Sequence, residues 1–500
     1  MCGIIAYFKK QPEEIKFLTH RGPDEQVCKK LGNCTMCFSR LSINDTSQNG
    51  SQPFIKDGKM LVCNGEIYNW QEFESGDENS KSDCEPLIGL INRIGIKNAC
   101  DIIRGVFAFI WTDGNRVMAA RDPIGVRPLF YYKDSEGIIF SSEVKGLPNN
   151  VKAEIFPPGH FYDSYFDKFI CYYPNYWSHT YFAGTPNEMK LALERAVEIR
   201  INNTDRPLGF FLSGGLDSSL VVSIAKKILP KNTTIKTFSI GQKDSPDVIA
   251  ARKVAKYLET EHHEIEFDFD EGIRELSNVI YSLESYDTTT IRASTPMWLL
   301  SRWIEKNTEC RVLLSGEGSD ELLGGYKYFQ NAPDENLFFL ETCRRVNYLH
   351  QFDVLRTDRC TAAHGLEVRV PFLDRDFIHS VMEQSPETKM TKEEKKILRD
   401  LFTEGYLPEE ILRRRKDAFS DAVGYTWSTH LKKYAESTIS DEEFEKIKTN
   451  TRGHNVPTTK EEALYRKIFW SHYGIKNDLL ISEIWRPKWT NITDPSALLI

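Results

Sequence analysis

The sequence predicts two domains of different fold class: a β-rich α+β domain, followed by an α/β domain built on a parallel sheet. In the first third of the chain, apolar stretches flank Asp113-Gly114, which is a signature of a β-hairpin. From Glu188 onward, short apolar stretches alternate with helical patterns, which is typical of a parallel sheet. A chain of 500 residues is also too long for a single core. We therefore expect domains over residues 2–180 and 185–500.

The bulk composition is that of an ordinary globular protein, with 40% hydrophobic and 27% charged residues. The formal net charge of −8 gives no indication of nucleic-acid binding. No apolar stretch approaches the ~20 residues that span a bilayer, and the first residues lack the pattern of a signal peptide. We expect a cytoplasmic protein with no nucleic-acid or membrane partner. The eleven cysteines are an odd number without a regular spacing, which favours reduced thiols.

A loop rich in serine and glycine stands between a predicted strand, 208–211, and a predicted helix, 220–229. This arrangement points backbone N–H groups and the positive end of the helix at a phosphate group. The glycines let the backbone approach a ligand where a Cβ atom would clash. The alternative is a plain turn between strand and helix. The candidate binding residues of the loop are Leu212, Ser213, Gly214, Gly215, Asp217, Ser218 and Ser219.

This loop resembles the S-G-G-x-D-S-S loop of the ATP pyrophosphatases, and no Lys follows its glycines as in the G-x-x-x-x-G-K-[ST] loop. The resemblance implies that the loop binds ATP, that pyrophosphate leaves as one unit, and that the substrate becomes adenylylated. Ligands of a parallel sheet lie beyond the carboxyl ends of its strands. We therefore add Ile240, Ser315 and Gly316 to the ATP-binding residues, because each lies at such an end.

An acidic, glycine-rich segment, 315–326, follows a predicted strand. Carboxylates at a strand end are typical of a metal-and-nucleotide site, so Asp217 and Asp320 are the candidate ligands of Mg²⁺. Glu317 is the candidate base, or orienting group, for an attacking ammonia. The alternative is an acidic surface loop. Two basic stretches, 392–396 and 413–416, are interleaved with acidic residues and are interpreted as a solvated helix face.

Cys2 is a candidate nucleophile at the other end of the chain. A small second residue usually allows Met1 to be removed, which would leave Cys2 with both a thiol and a free α-amino group. This amine has an ordinary pKa near ~8 and can act as a base beside its own side chain. The alternative is an accidental second residue without a catalytic role.

Four further blocks accompany Cys2, over 20–24, 40–43, 64–69 and 82–85. Together they resemble the glutaminase domain of the amidotransferases with an N-terminal Cys, which implies an αββα sandwich of the Ntn-hydrolase type. The resemblance implies an oxyanion hole made by Asn64 and Gly65, which join Cys2 as catalytic residues. It implies glutamine binding by Arg40, Leu41, Asn64, Gly65, Glu66 and Asp83.

Two of these assignments have structural alternatives. Asn64-Gly65 is also a common hairpin turn, and Asp83 could be the N-cap of a helix. Two later stretches, 121–130 and 138–145, match the same family and are interpreted as structure and inter-domain contact.

Further matches, over 286–297, 363–374 and 416–421, extend the resemblance to nearly the whole chain. The chain resembles the glutamine-hydrolysing asparagine synthetases, although its glutaminase part looks trimmed in two segments. The resemblance implies glutamine, aspartate and Mg²⁺-ATP as ligands, with aspartate between 287–292 and 315–320. It implies that Lys416 is a catalytic cation that stabilises the adenylate and pyrophosphate, and it is compatible with a homodimer.

The implied reaction uses two sites. Cys2 attacks glutamine and releases ammonia through a glutamyl thioester. Aspartate attacks the α-phosphate of ATP, and ammonia converts the resulting β-aspartyl-AMP to asparagine. Two other activities share parts of this pattern: another ATP-dependent amidotransferase, and a cyclase like the β-lactam synthetases. The cyclase needs no ammonia, so the set of Cys2, Arg40 and Asn64 argues against it.

Overall fold

The computed structural model describes residues 1–12, 14–73, 81–149, 151–174, 184–414 and 426–491. We call residues 1–174 the amino-terminal region and residues 184–491 the carboxy-terminal region. The amino-terminal region contains two six-stranded antiparallel sheets, and the carboxy-terminal region contains a five-stranded parallel sheet. Both predicted fold classes are confirmed.

The amino-terminal region is built of short strands, interrupted by one long helix. In chain order these elements are β1 (Gly3–Phe8), β2 (Glu25–Leu31), β3 (Cys34–Arg40), β4 (Phe54–Lys56), β5 (Lys59–Ile67), α1 (Pro86–Ile102), β6 (Gly105–Thr112), β7 (Val117–Arg121), β8 (Phe130–Lys133), β9 (Ile138–Ser141), β10 (Glu154–Ile155), β11 (His160–Asp163) and β12 (Lys168–Cys171). The first sheet has the strand order β10-β8-β9-β1-β3-β2, and the second has the order β12-β11-β7-β6-β5-β4.

The two antiparallel sheets pack face to face through alternate side chains. Ile4, Ala6 and Phe8 of β1 lie in one buried cluster with Val62 of β5 and Ala108 of β6. The period of two places these residues on the inner face, because successive side chains of a strand point to opposite sides. The predicted hairpin is confirmed, since β6 and β7 pair directly across Asp113-Gly114. Helix α1 covers the outer face of the second sheet against β5 and β7.

Two cysteines depart from the expectation of reduced thiols. Cys28 of β2 and Cys37 of β3 lie opposite each other in the antiparallel pair and form a disulfide. The other nine cysteines are free thiols. The pairing of β2 with β3 brings these two sulfurs together, and cysteine spacing alone does not reveal which strands pair.

The carboxy-terminal region alternates strands with helices around the parallel sheet. Its strands are β13 (Leu208–Phe211), β14 (Lys236–Gly241), β15 (Glu261–Glu266), β16 (Val312–Leu314) and β17 (Glu367–Arg369). Its helices are α2 (Pro186–Asn202), α3 (Leu216–Ile228), α4 (Pro246–Leu258), α5 (Phe269–Leu283), α6 (Thr288–Asn307), α7 (Ser319–Leu323), α8 (Glu335–Tyr348), α9 (Asp353–Ala362), α10 (Arg375–Met382), α11 (Pro386–Lys389), α12 (Lys396–Leu401), α13 (Glu409–Leu412), α14 (Trp427–Thr438), α15 (Asp441–Asn450) and α16 (Lys460–Tyr473). Within the described ranges, no helix is both long and apolar enough to cross a membrane.

The strand order of the parallel sheet is β15-β14-β13-β16-β17. Strands β13 and β16 are continuous apolar stretches, as expected for parallel strands that are covered on both faces. Phe210 pairs with Thr237 on one side and with Leu314 on the other. The carboxyl ends of β13, β14 and β16 therefore lie side by side, which brings the loops after them to one edge of the sheet.

A buried ionic network joins the two regions. Arg21 donates to Glu143 at 2.7 Å and to Asp358 at 2.8 Å. Arg359 contacts Glu143 at 2.8 Å and Glu284 at 2.9 Å. Removal of one partner from such a network leaves an uncompensated buried charge, so the network fixes how the regions dock. Because Glu143 belongs to the stretch 138–145, its predicted role in inter-domain contact is confirmed.

Candidate active sites

The candidate nucleophile lies just before β1, beside the backbone of Leu41. The Leu41 N–H donates to Cys2 Sγ at 3.4 Å, and the thiol lies 3.6 Å from the Leu41 carbonyl oxygen. Burial raises the pKa of the Cys2 thiol to about 11, and the Met1 α-ammonium opposes this shift only in part. The thiol is therefore protonated near neutral pH in the chain that carries Met1. Attack on a carboxamide requires a base that takes this proton.

Met1 fills a buried space between the two regions. Its side chain is fully buried, and its α-amino group donates to the carbonyl of Leu366 at 3.2 Å. Burial lowers the pKa of this amino group to about 5. While Met1 is present, the nitrogen of Cys2 is an amide and cannot act as a base.

Asn64 and Gly65 lie inside β5, where they pair with Ala108 and Phe107 of β6. The alternative interpretation of Asn64-Gly65 as a hairpin turn is therefore wrong. Strand β1, which follows Cys2, lies against β5. Among the described residues, the buried Asn64 Nδ2 has no hydrogen-bond acceptor. A buried donor without an acceptor is costly unless a ligand supplies one, as the oxyanion of a substrate would.

Arg40 is a buried cation at the end of β3, next to Leu41. Its guanidinium donates to the carbonyls of Asp45 and Ser47 and lies 3.5 Å from the Glu25 carboxylate. The loop after β3 thus orients the guanidinium group of Arg40, which was assigned to glutamine binding.

Asp83 is buried and accepts a hydrogen bond of 2.6 Å from the backbone N–H of Ile67, the last residue of β5. Helix α1 begins at Pro86 after Glu85, so the alternative of Asp83 as an N-cap is wrong. Burial raises the pKa of Asp83 to about 6. The carboxylate is thus held at the end of β5, next to Glu66, where it can attract an ammonium group.

Glu66 has partners that the sequence did not suggest. Its Oε2 accepts hydrogen bonds from Asn44 at 2.8 Å, from Asn203 at 2.9 Å and from Arg369 at 2.8 Å. Asn203 and Arg369 belong to the carboxy-terminal region. Burial raises the pKa of Glu66, and Arg369 opposes this shift.

A cavity of about 190 Å³ opens at the carboxyl ends of β13, β14 and β16. It brings together most of the residues assigned to ATP, metal and catalysis. These are Leu212, Ser213, Gly215, Asp217, Ser218, Ile240, Ser315, Gly316, Glu317 and Asp320. Gly214 and Ser219 do not line the cavity in the described structure. Gly214 has φ +75 and packs against α4, where a Cβ atom would lie 2.4 Å from the Ala251 nitrogen, and Ser219 is fully buried.

The loop itself is ordered by its own serines. Ser213 N–H donates to Ser218 Oγ at 3.2 Å, and Gly215 N–H donates to Ser213 Oγ at 3.3 Å. Helix α3 begins after Gly215, which has no side chain to occupy the first N–H groups of the helix. These groups remain available for phosphate oxygens at the positive end of the helix.

Asp217 and Asp320 converge on one cation, Lys395. Its Nζ lies 2.6 Å from each carboxylate, and Ser319 Oγ donates to Asp217 at 2.8 Å. Two carboxylates that already share one cation fit Mg²⁺, which takes one or two protein carboxylates together with substrate phosphates. Within the described ranges, no group of three or more potential ligand side chains is found. The residues present therefore fit a metal whose remaining ligands come from the nucleotide.

Lys395 was missed because it belongs to the stretch 392–396, interpreted as a solvated face. That interpretation is wrong for Lys395, which is 2% exposed and has φ +56 just before α12. It is also wrong for Arg414, which contacts Asp247 and donates to the Gly214 carbonyl. The left-handed backbone turns Lys395 inward, and a charge pattern does not reveal this. Lys416 lies outside the described residues.

Glu317 is held by a second cation that the sequence did not single out. Arg356 Nη2 donates to Glu317 at 2.6 Å and to Asp353 at 2.9 Å. All three residues line the cavity, together with Thr289 and Ala293 of α6. The cavity therefore extends from the phosphate loop to α6 and α9.

Two residues of the stretch assigned to aspartate have structural partners. Asp287 caps α6 by accepting from Thr290 N–H at 2.8 Å, and it also accepts from Trp485 N–H at 2.7 Å. Arg292 is fully buried against Glu461, at 2.8 and 2.7 Å. From this stretch, Thr289 is the residue that reaches the cavity.

Comparisons with known proteins cover both regions. A family model described as a glutamine amidotransferase domain matches residues 1–176, and a family model described as asparagine synthase matches residues 188–341 and 338–492. The probable asparagine synthetase [glutamine-hydrolyzing] of Dictyostelium discoideum is 42% identical over 99% of this chain and 98% of its own length. Asparagine synthetase [glutamine-hydrolyzing] 1 of Arabidopsis thaliana is 40% identical over 99% of this chain and 93% of its own.

Proposed function

This chain belongs to the glutamine-hydrolysing asparagine synthetases, and we propose how its residues divide the reaction between two pockets. It is a ligase that forms asparagine from aspartate with glutamine as the amide donor and ATP as the energy source. The family membership favours this activity over a β-lactam-synthetase-like cyclase or an amidotransferase for another acid.

In the first pocket, removal of Met1 frees the α-amino group of Cys2, which takes the thiol proton. The thiolate attacks the carboxamide of glutamine, and the oxyanion receives hydrogen bonds from Asn64 Nδ2 and the Gly65 N–H. Ammonia leaves, and water hydrolyses the glutamyl thioester to glutamate. Arg40 binds the α-carboxylate of glutamine, while Asp83 and Glu66 attract its α-ammonium. What supports these roles is the acceptor-free Asn64 amide on the strand beside Cys2.

In the second pocket, the loop from Leu212 to Ser219 and the start of α3 hold the phosphates of ATP. The β-carboxylate of aspartate attacks the α-phosphate, and pyrophosphate leaves. Ammonia then attacks the β-carbonyl of β-aspartyl-AMP and expels AMP. Glu317, oriented by Arg356, accepts a proton from the attacking nitrogen. Lys395 neutralises charge on the departing pyrophosphate, as does Lys416 by family resemblance.

Asp217 and Asp320 would hold Mg²⁺ beside the phosphates, together with nucleotide oxygens. The metal would supply electrostatic neutralisation of the phosphate charge. In this structure the two carboxylates orient Lys395, which is the cation that the chain itself contributes.

The observation that carries this proposal is the meeting of three strand ends in one cavity lined by Asp217, Asp320 and Glu317. Its test is incubation with ATP, aspartate and glutamine, with the products identified by chromatography. We expect asparagine, glutamate, AMP and pyrophosphate. Formation of ADP, or of an amide other than asparagine, would contradict the proposal.

The division between pockets has its own test. Cys2→Ala should abolish the glutamine-dependent reaction and retain asparagine synthesis from added ammonia, and loss of both would contradict the division. Intact mass of the purified protein should show a chain that lacks Met1. A cytoplasmic location and a homodimer stay predictions of the sequence, to be tested by cell fractionation and by light scattering.

A further inference from the structure

The contact between Glu66 and Arg369 connects the two pockets directly. Glu66 stands on β5, next to Gly65 of the candidate oxyanion hole, and its Oε2 accepts the hydrogen bond from Arg369 Nη2 at 2.8 Å. These residues are 303 positions apart in sequence. Both side chains are buried, with side-chain exposures of 5% and 0%. The pair is therefore a desolvated ion pair between the regions.

Arg369 is also the residue that anchors the start of the acidic segment in the ATP cavity. It ends β17, and its carbonyl accepts a hydrogen bond of 3.0 Å from the Ser315 N–H. The next residue, Gly316, packs so closely on the phosphate loop that a Cβ atom there would lie 2.7 Å from the Ser218 nitrogen. A shift of Arg369 would therefore displace the backbone that packs on Ser218.

The other nitrogens of the Arg369 guanidinium group already have acceptors. Its Nη1 donates to the carbonyls of Arg200 at 2.6 Å and Asn203 at 2.8 Å, and its Nε donates to Glu367 at 2.9 Å. Nη2, the remaining nitrogen, is the one that contacts Glu66. Loss of charge at Glu66 would leave this nitrogen of a buried cation without its carboxylate partner.

Glu66 lies among buried charged groups. Asp83 and Glu367 are its neighbouring carboxylates, and Arg369 and Arg127 are its neighbouring cations. Burial and the two carboxylates raise the pKa of Glu66, while the two arginines lower it. A ligand that carries an ammonium group would favour the ionised form of Glu66, and glutamine carries one.

We propose that Glu66 is a positioning residue that couples the two pockets: the α-ammonium of glutamine favours the ionised carboxylate of Glu66, and the strengthened Glu66–Arg369 contact holds the Ser315 segment in place for ATP. The inference rests on the proposed function. The hydrogen bonds from Asn44, Asn203 and Arg369 all go to Oε2 of Glu66, so Oε1 can accept the ammonium while Oε2 keeps Arg369. The raised pKa of Glu66 agrees with this scheme, because a nearby positive charge restores the ionised carboxylate.

The test uses the full-length protein in the Cys2→Ala background, which binds glutamine without forming the thioester. The KM for ATP is measured by AMP formation from aspartate and added ammonia, with and without saturating glutamine. We expect glutamine to lower this KM by at least about fivefold, the lower end of typical coupling between sites. A KM that does not respond to glutamine overturns the inference.

The first variant is Arg369→Lys, which keeps a cation and removes the guanidinium contacts with Glu66 and with the carbonyls of Arg200 and Asn203. Calorimetry should show that glutamine still binds, while the KM for ATP no longer responds to it. A response equal to that of the parent overturns the inference. If Arg369→Lys does not fold, Glu66→Gln at glutamine concentrations shown by calorimetry to saturate it should give the same loss, and Glu66→Asp should restore part of the response.

Asp376→Asn is the matched control. It also replaces a carboxylate by an amide in an ion pair between the regions, Arg104–Asp376, which is exposed and touches neither pocket. Its response to glutamine should equal that of the parent, and loss of the response in this variant overturns the specific role of Glu66. Absence of AMP formation in every variant, the wild type included, would instead overturn the proposed function itself.

Discussion

The two pockets position their functional side chains in different ways. In the glutaminase pocket, Asn64 and Gly65 lie within β5, so strand pairing with β6 fixes their positions. In the ATP cavity, Asp217, Glu317 and Asp320 follow strand ends, and distant cations, Lys395 and Arg356, hold their side chains. Backbone pairing therefore positions the first pocket and charge pairing positions the second. Mutations should accordingly separate the two half-reactions.

The buried ionic network between the two regions should be the most sensitive point for stability. Arg21→Ala removes the cation between Glu143 and Asp358, which are both buried. We expect a loss of about 3–5 kcal/mol in the free energy of unfolding, because two carboxylates lose a partner in a dry environment. Urea denaturation of the variant and the parent measures this.

Arg104→Ala is the control for Arg21→Ala, because Arg104–Asp376 is also an ion pair between the regions but is exposed. An exposed pair contributes at most about 1 kcal/mol. Equal losses in the two variants would show that burial of the Arg21 network does not matter.

Asn64→Ala should disable the glutaminase pocket alone. It removes an oxyanion donor, so we expect glutamine-dependent kcat to fall about 10²- to 10³-fold. Because Asn64 Nδ2 has no acceptor among the described residues, stability should change little. The rate with added ammonia should change little, and a parallel fall of both rates would refute the strand-based placement of this donor.

Lys395→Ala should disable the ATP cavity alone. Without the ammonium, Asp217 and Asp320 repel each other and the phosphates lose a cation, so asparagine formation should fall about 100-fold with either nitrogen source. Glutaminase activity, measured as glutamate release, should persist. Lys396→Ala is the control, because Lys396 is exposed and pairs with Asp400 on its own helix. Equal effects of the two variants would show that Lys395 acts as a solvated side chain, as the sequence predicted.

The smallest expected effect is the pH dependence of glutamine binding. Burial raises the pKa of Asp83 to about 6, so its carboxylate is charged above pH 6 and becomes neutral as the pH falls through this value. Glutamine affinity of Cys2→Ala should therefore fall about tenfold from pH 7 to pH 5, since one pKa unit corresponds to a factor of ten. Calorimetry across this range measures the change. In the double variant with Asp83→Asn the profile should be flatter, and an unchanged slope would mean that another group titrates.

Sequence reasoning succeeded where neighbours along the chain determine the structure. The strand β13 lies where the pattern predicted it, and helix α3 follows the serine-glycine turn but begins at Leu216, four residues before the predicted start, because apolar periodicity and glycine positions encode such units locally. The convergence of Ile240 and Ser315 on the same cavity followed from a general rule for parallel sheets. The same reasoning misjudged Lys395 and Arg414, since a charge pattern does not distinguish a solvated side chain from one that meets a distant carboxylate.

The order of strands and helices, the phosphate loop and the residue types of both pockets could be read from the amino acids alone, because hydrogen bonding within a turn and alternation along a strand depend on near neighbours. The folded chain was needed to see that Lys395 joins Asp217 to Asp320, that Arg369 reaches Glu66, and that Cys28 meets Cys37. These contacts join residues whose proximity depends on which strands pair and which loops share an edge. Which strands pair and which loops share an edge depends on how the whole chain buries its core.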